Sequence, residues 1–319
     1  MKAKTDAARA PNQSAKAQAH LSTKDYYNRH GYFIAPNLVP ATLIDELLNH
    51  YHQKIVPSKE PFFRQTTNKY EINTMTDHGY VAQSFLDIHG YSKSPKFSSA
   101  ALEILFSAPI INMLSKLTGS SSHNLMNSVL FDVNAETVPH KDCWYLDTIP
   151  SGNLTAAWIA LEDIDERAGR FFVMTETMQE DFLKGEKDLS HSAWLQRIKV
   201  YFDEHQDKVI APALKKGDII FWNSKTIHGA LPTQDRRFSR KSLTAHYIPS
   251  QFKFGNLFAV KDFIEYRDYK GHKYYCNQPE YSRRNKMKYA FKTAVYDSPG
   301  LLRFFRKFQR WGIGINKIG

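Results

Sequence analysis

The 319-residue chain predicts an α+β fold with a mainly helical front third, a β-sandwich or barrel in the middle, and a basic helical extension at the C-terminus. Three observations carry this. Apolar residues recur at helical spacing between capping residues up to about residue 117. Short apolar or alternating runs between residues 125 and 248 are separated by Gly, Pro, Asn and Asp clusters. Ten of the 43 basic residues, but one of the 32 acidic ones, follow Tyr281, so nine of the eleven net positive charges sit there and the rest of the chain is nearly neutral.

Residues 1–20, rich in Ala, Lys, Gln, Ser and Asn without periodicity, read as a disordered leader. Ser22 or Thr23 can cap a helix through Lys24 and Arg29, which Gly31 ends before the apolar strand Tyr32-Phe33-Ile34-Ala35. Thr42 opens a second helix with Leu43, Leu47 and Tyr51 on one face. Two more helices are expected over residues 98–105 and 109–117, the latter stopped by Gly119. Strands are expected over 125–133, 155–164, 170–174, 218–223 and 242–248. The polar, partly helical stretch over 177–207 is long enough to be an insertion that covers a site. The expected division is a leader over 1–20, one domain over 21–282 and a basic amphipathic extension over 283–319.

Composition excludes several classes. Cys143 and Cys276 are too few and too far apart for a disulfide framework, and no Cys-x-x-Cys pair is present, which fits a reducing compartment. The first residues lack the apolar stretch of a signal peptide, and no run approaches the length of a membrane span. The expectation is a cytoplasmic protein.

The chemistry concentrates at VPHKDCWYLD, where His140 and Asp142 are two residues apart. On a strand, residues i and i+2 point the same way, so both side chains can face one point. Two imidazoles and one carboxylate on one face of an octahedron suit iron(II), because the other positions stay open for a co-substrate and oxygen. One His-x-Asp is weak evidence in a chain with 13 histidines, and a second, His205-Gln206-Asp207, lies in a charged run that reads as solvated surface. His140, by contrast, precedes the apolar strand of LTAAWIALEDI. GDIIFWNSKTIHGALP supplies a third candidate ligand, His228, and RRFSRKSLTAHY a strand headed by Arg240.

Taken together, His140-Lys141-Asp142, the WIALED strand, GDIIFWNSKTIHG, Arg240 with SLTAHY, and the early GYFIAPNLVP segment with its following helix resemble the phytanoyl-CoA dioxygenase family of iron(II)/2-oxoglutarate oxygenases, over roughly residues 21–249. The resemblance implies a double-stranded β-helix, or jelly roll, with the N-terminal helices packed around it. It implies that His140, Asp142 and His228 ligate Fe(II), and that Arg240 receives the distal carboxylate of the co-substrate 2-oxoglutarate. Arginine suits that role because its planar fork donates two parallel hydrogen bonds to a carboxylate. Arg236 and Arg237 lie in a polar turn and read as solvated. Ser242 shares a strand face with Arg240. Trp158 occupies a position that lines the co-substrate pocket in the family, Asn127 lies on the strand preceding the motif, where a polar contact is common in the family, and both also read as ordinary strand residues. The implied reaction uses O2 to hydroxylate a small-molecule or lipid-like substrate, releasing succinate and CO2. Desaturation, epimerisation or demethylation would use the same residues, and Asp142 argues against halogenation. A non-catalytic jelly-roll binding or scaffold protein is the alternative from another class. The chain departs from the family at Glu166-Arg167-Ala168-Gly169 and at Met174-Thr175-Glu176, near the substrate.

In LLRFFRKFQRW, Leu301, Phe304, Phe305, Phe308 and Trp311 can form one helical face, with Arg303, Arg306, Lys307 and Arg310 elsewhere. This pattern over residues 301–311 suits peripheral contact with an anionic membrane. A terminal helix packed on the domain, or a surface for an anionic substrate, fits equally. Nucleic acid fits less well, since no recognised binding module accompanies the charge.

Overall fold

The computed structural model describes residues 21–186, 189–261, 264–277, 281–284, 287 and 290. The leader expected over 1–20 and the amphipathic segment expected over 301–311 lie outside the described residues. Helix α1 (Thr23–His30) is capped by Ser22, whose side chain accepts a hydrogen bond from the Asp25 N–H, and it stops at Gly31, where φ is +81°. Strand β1 (Tyr32–Ala35) follows. Helix α2 (Ala41–His50) starts one residue before Thr42, with Pro40 at its cap, and continues into a π-turn at Tyr51–Ile55.

A hairpin of β2 (Phe62–Arg64) and β3 (Lys69–Glu71), then β4 (Phe85–Leu86), have no forerunner in the sequence reading, because elements of two or three residues carry no measurable periodicity. Helix α3 (Pro95–Leu105) begins a turn earlier than Ser98, since proline is favoured in a helix's first turn, where its missing N–H leaves no bond unmade. Helix α4 (Ala108–Thr118) follows. The expected strands appear as β5 (His123–Phe131), β7 (Thr155–Ala160), β8 (Phe171–Met174), β10 (Ile219–Asn223) and β12 (Ser242–Pro249), with β6 (Asp147–Ile149), β9 (Val209–Ile210) and β11 (His228–Ala230) between them. Helix α5 (His191–Glu204) forms part of the 177–207 stretch. Three short strands, β13 (Lys253–Gly255), β14 (Arg267–Tyr269) and β15 (His272–Tyr274), close the described chain.

The major sheet has the order β1-β10-β7-β12-β5-β15-β14, with β4 also on β5, and a minor sheet has the order β11-β8-β9. Alternation along the major strands divides their side chains between two cores. Ala157, Ile159, Ile219, Phe221, Leu243, Ala245 and Tyr247 face outward into a cluster with Ile44, Leu47, Phe97, Ile104 and Leu114 of helices α2, α3 and α4. Ala156, Trp158, Ile220 and Trp222 face inward, against Phe171 and Val173 of the minor sheet. Burial on both faces is why these strands read as unbroken apolar runs. Helix α5 covers the outer face of the minor sheet, where Trp194 and Ile198 pack with Phe172, Met174 and Ile227. This is the helix-decorated jelly roll the sequence predicts.

No single helix among the described residues is long and apolar enough to cross a membrane. The pair α3 and α4 meets that test only jointly, across a 43° bend, and its apolar residues are buried in the core.

Candidate metal and co-substrate site

The inner space between the two sheets holds a cavity of about 80 Å³ lined by His140, Asp142, Trp158, Phe171, Trp222, His228, Arg240, Thr244 and His246, with Gln65 and Thr137 at its edge. His140 and His228 arrive there together because their backbones form an antiparallel bridge, each N–H donating to the other's carbonyl at 3.0 Å. Lys141 is extended, and Asp142 opens a short 3-10 turn over Asp142–Trp144. His140 and Asp142 therefore face the cavity. Lys141 points away, where its Nζ donates to the Thr177 and Glu180 carbonyls at 2.7 Å each.

One ligand-type atom from each of His140, Asp142 and His228 lies within 4.8 Å of the other two. Asp142 Oδ1 is 3.7 Å from His140 Nε2 and 3.4 Å from His228 Nε2. Both imidazoles are oriented in the same manner. His140 Nδ1 lies 2.8 Å from Val138 O, and His228 Nδ1 lies 3.0 Å from Thr226 O. A carbonyl only accepts, so each Nδ1 carries a hydrogen and each Nε2 is the ring nitrogen that faces Asp142 Oδ1. Burial opposes ionisation of Asp142, but the His228, His246 and His140 rings around it hold its carboxyl well below the usual range. Burial, reinforced by His228, lowers the pKa of His140 and favours its neutral, ligating form. A carboxylate and two imidazoles with open space beside them are a donor set that fits iron(II).

Arg240 lies on the same cavity, immediately before β12. It is 3% exposed. Its Nη1 donates to Gly169 O at 3.1 Å, its guanidinium carbon is 5.7 Å from the centre of the Trp158 ring, and its Nε has no partner. No carboxylate pairs with it among the described residues, and burial pushes its pKa down to about 9. An unpaired buried cation is costly unless an anion arrives to meet it. The site therefore fits a carboxylate-bearing co-substrate as well as a metal. Arg236 and Arg237 are exposed, Arg237 pairing with Asp235.

The remaining expected positions differ. Trp158 is buried, stacked on Phe171 at 5.7 Å, and lines the cavity. Ser242 is buried with an unpartnered hydroxyl, and Asn127 sits opposite His246 in the β5–β12 register; neither is among the cavity's lining residues. His205 caps α5, its ring stacked on Tyr201 at 4.0 Å, and Asp207 is exposed, away from the cavity. Cys143 is buried, with its thiol pKa pushed up to about 12 by that burial, as befits a small apolar residue. The 177–207 stretch reaches the rim, where His191 Nε2 lies 2.6 Å from the Tyr145 hydroxyl, and the Tyr145 ring is 5.8 Å from His140.

Among the lining residues that the sequence does not single out are Trp222, Thr244 and His246. The signal for two of them was present. Alternation from Arg240 through Ser242 continues to Thr244 and His246, so the strand that carries the arginine also carries a third imidazole to Asp142, 3.5 Å from its Oδ2. Trp222 reads as a core residue of an apolar strand, and nothing in the sequence reveals that its Nε1 donates to Asp142 Oδ2 at 2.9 Å.

The family model described as phytanoyl-CoA dioxygenase (PhyH) matches residues 27–239, two thirds of the chain, spanning all three converging residues. The chain belongs to the phytanoyl-CoA dioxygenase family of iron(II)/2-oxoglutarate oxygenases. The match stops one residue short of Arg240. Within the family, the chain is 26% identical to the peroxisomal phytanoyl-CoA dioxygenase of Bos taurus over 113 residues, 34% of this chain and 32% of the bovine protein; it thus spans about a third of that relative's length. The fold is similar to that of the carbocyclase SnoK from nogalamycin biosynthesis (16% identity, TM-score 0.54, 75% of this chain and 88% of that one). It is also similar to the epimerase SnoN in complex with Fe3+, alpha ketoglutarate and nogalamycin RO (17%, 0.52, 74% and 86%). EctD from S. alaskensis, with 2-oxoglutarate and 5-hydroxyectoine, has the same fold (15%, 0.51, 88% of each chain).

Proposed function

We propose that this phytanoyl-CoA dioxygenase family member uses Fe(II), 2-oxoglutarate and O2 to hydroxylate a small molecule, with His140, Asp142 and His228 as metal ligands and Arg240 as the anchor for the co-substrate's distal carboxylate. The observation that carries this is the pairing, in one cavity, of the three converging ligand atoms with a buried guanidinium that lacks an anion. A metal site alone would not explain Arg240, whose guanidinium lines the same cavity with one carbonyl as its protein hydrogen-bond partner.

The bound iron supplies the activation of O2 that couples decarboxylation of 2-oxoglutarate, to succinate and CO2, with insertion of one oxygen atom into a substrate C–H bond. The chain's residues position and shield. The Val138 and Thr226 carbonyls fix the two imidazole tautomers. Arg240, braced by Gly169 O and backed by Trp158, receives the carboxylate bidentately, and the unpartnered Ser242 hydroxyl lies two residues further along the same strand face, with Asn127 opposite His246 beyond it. Trp158, Phe171 and Trp222 form the apolar wall that keeps bulk water from the reacting centre.

The fold's relatives include an epimerase and a carbocyclase, so the outcome at the substrate is the finer part of the proposal. Its test is a screen of metabolite and lipid extracts with the iron-loaded protein, 2-oxoglutarate and O2. A product heavier by one oxygen, with one succinate formed per turnover, is expected. An isomerised product, or one lighter by two hydrogens, replaces hydroxylation with epimerisation or desaturation. Absence of 2-oxoglutarate turnover with every extract returns the chain to a binding or scaffold role.

A further inference from the structure

We infer that Trp222 is a positioning residue that decides which oxygen of Asp142 is offered to the metal; the inference rests on the iron reading above and deepens it. The two carboxylate oxygens have different surroundings. Oδ1 faces the Nε2 atoms of His228 and His140, at 3.4 and 3.7 Å. Oδ2 is turned the other way, accepting the Trp222 indole N–H at 2.9 Å, with His246 Nε2 3.5 Å away. An indole nitrogen is a donor only, so this contact cannot reverse. The ring cannot swing away either, since it is 1% exposed and packed 4.9 Å from Phe171 and 4.8 Å from His228. The donor comes from β10, the neighbour of β7 in the major sheet, so the bond also ties the Asp142 turn to that sheet.

The consequence follows from coordination chemistry. A carboxylate with both oxygens free can take two positions on a metal, and one whose second oxygen is already hydrogen-bonded offers only the first. A site that must also admit a chelating co-substrate and oxygen needs those positions open. Trp222 thus does more than fill the core. It sets the carboxylate's orientation before the metal arrives, and partners of this kind typically matter 10- to 100-fold in metal affinity.

The test compares wild type with Trp222→Phe, which keeps an aromatic ring but lacks the N–H, and with Trp194→Phe, the same change in a buried tryptophan of the outer cluster. Mn(II) affinity is read by electron paramagnetic resonance and the coordination of Co(II) by its visible absorption. Trp222→Phe is expected to weaken Mn(II) binding by about 10-fold or more and to change the Co(II) spectrum, whereas Trp194→Phe changes neither. If wild type binds neither ion, the metal reading itself fails. If wild type binds and Trp222→Phe matches it in affinity and spectrum, the positioning role is overturned. Should Trp222→Phe not fold, indole hydrogen exchange in the wild-type protein decides. A Trp222 N–H protected without metal supports the role, and one that exchanges as fast as an exposed indole refutes it.

Discussion

Replacing Arg240 with methionine should make the metal-free protein more stable while removing its hold on 2-oxoglutarate. Without a co-substrate, the folded protein carries a guanidinium that is 3% exposed, bonded to one carbonyl, and bare at Nε. Burial brings its pKa down to about 9, a drop from the ordinary arginine value of order 4–5 kcal/mol at 1.36 kcal/mol per unit. The sign is that of a base whose folded value is depressed. The penalty is present in full below about pH 9 and is relieved as the pH rises through and beyond that value. Methionine has a comparable stem and no charge, so at neutral pH the variant should gain on the order of 1–3 kcal/mol in denaturant unfolding after allowing for the lost bond to Gly169 O and imperfect repacking. That gain should shrink above pH 9. Binding moves the other way. Leaving a co-substrate carboxylate without its partner in a buried site costs about 3–5 kcal/mol, which is on the order of a 100- to 4,000-fold loss of affinity. Anaerobic calorimetry of the iron-loaded protein measures this, with iron affinity as the control. A variant that is less stable than wild type yet binds 2-oxoglutarate normally would show that Arg240 is structural and would refute the reasoning.

Three further outcomes are expected. His140→Ala, Asp142→Ala and His228→Ala should each abolish Fe(II) binding, read by metal analysis after desalting, while His205→Ala and Asp207→Ala should leave it intact; full metal content in His228→Ala would sink the proposed triad. Gly169→Ala should weaken 2-oxoglutarate binding by about 10-fold, because φ there is +80° and a Cβ would strike the Leu231 carbonyl and the Asn134 side chain, displacing the carbonyl that braces Arg240. Unchanged affinity would mean that the loop yields without moving that carbonyl. For the basic tail, truncation after Pro299 should remove low-salt co-sedimentation with anionic liposomes and leave 2-oxoglutarate turnover intact; no liposome binding by the full-length protein would end the membrane reading.

The sequence carried the site's polarity more clearly than its geometry. His140 and Asp142 were legible because a two-residue step on an extended chain puts side chains on one side, and the structure keeps that relation although Asp142 already opens a 3-10 turn. His228 was legible from its place after an apolar strand, but its backbone bridge to His140 joins segments 88 residues apart, and no local pattern encodes such a pairing. The helices at Thr23–His30 and Ala108–Thr118 announced themselves through Ser22, Gly31 and Gly119. The hairpin at Phe62–Glu71 did not, because its strands have three residues each and its buried charge, Arg64, is met by the Glu71 carbonyl within it and by the Ser84 carbonyl and Asn73 side chain beyond it. Trp222 was hidden for a different reason. Alternation assigns it to the inner face correctly, yet a tryptophan there is ordinary core until a carboxylate is seen at its nitrogen.

The central claim is that one cavity binds a metal through three side chains and an anionic co-substrate through a fourth. Its most direct test is an anaerobic calorimetric titration of 2-oxoglutarate into the protein with and without Fe(II). The account predicts one 2-oxoglutarate per chain, bound tightly only when Fe(II) is present, with binding lost in Arg240→Met and in His228→Ala. Equal binding with and without Fe(II), or binding that survives both substitutions, would contradict it.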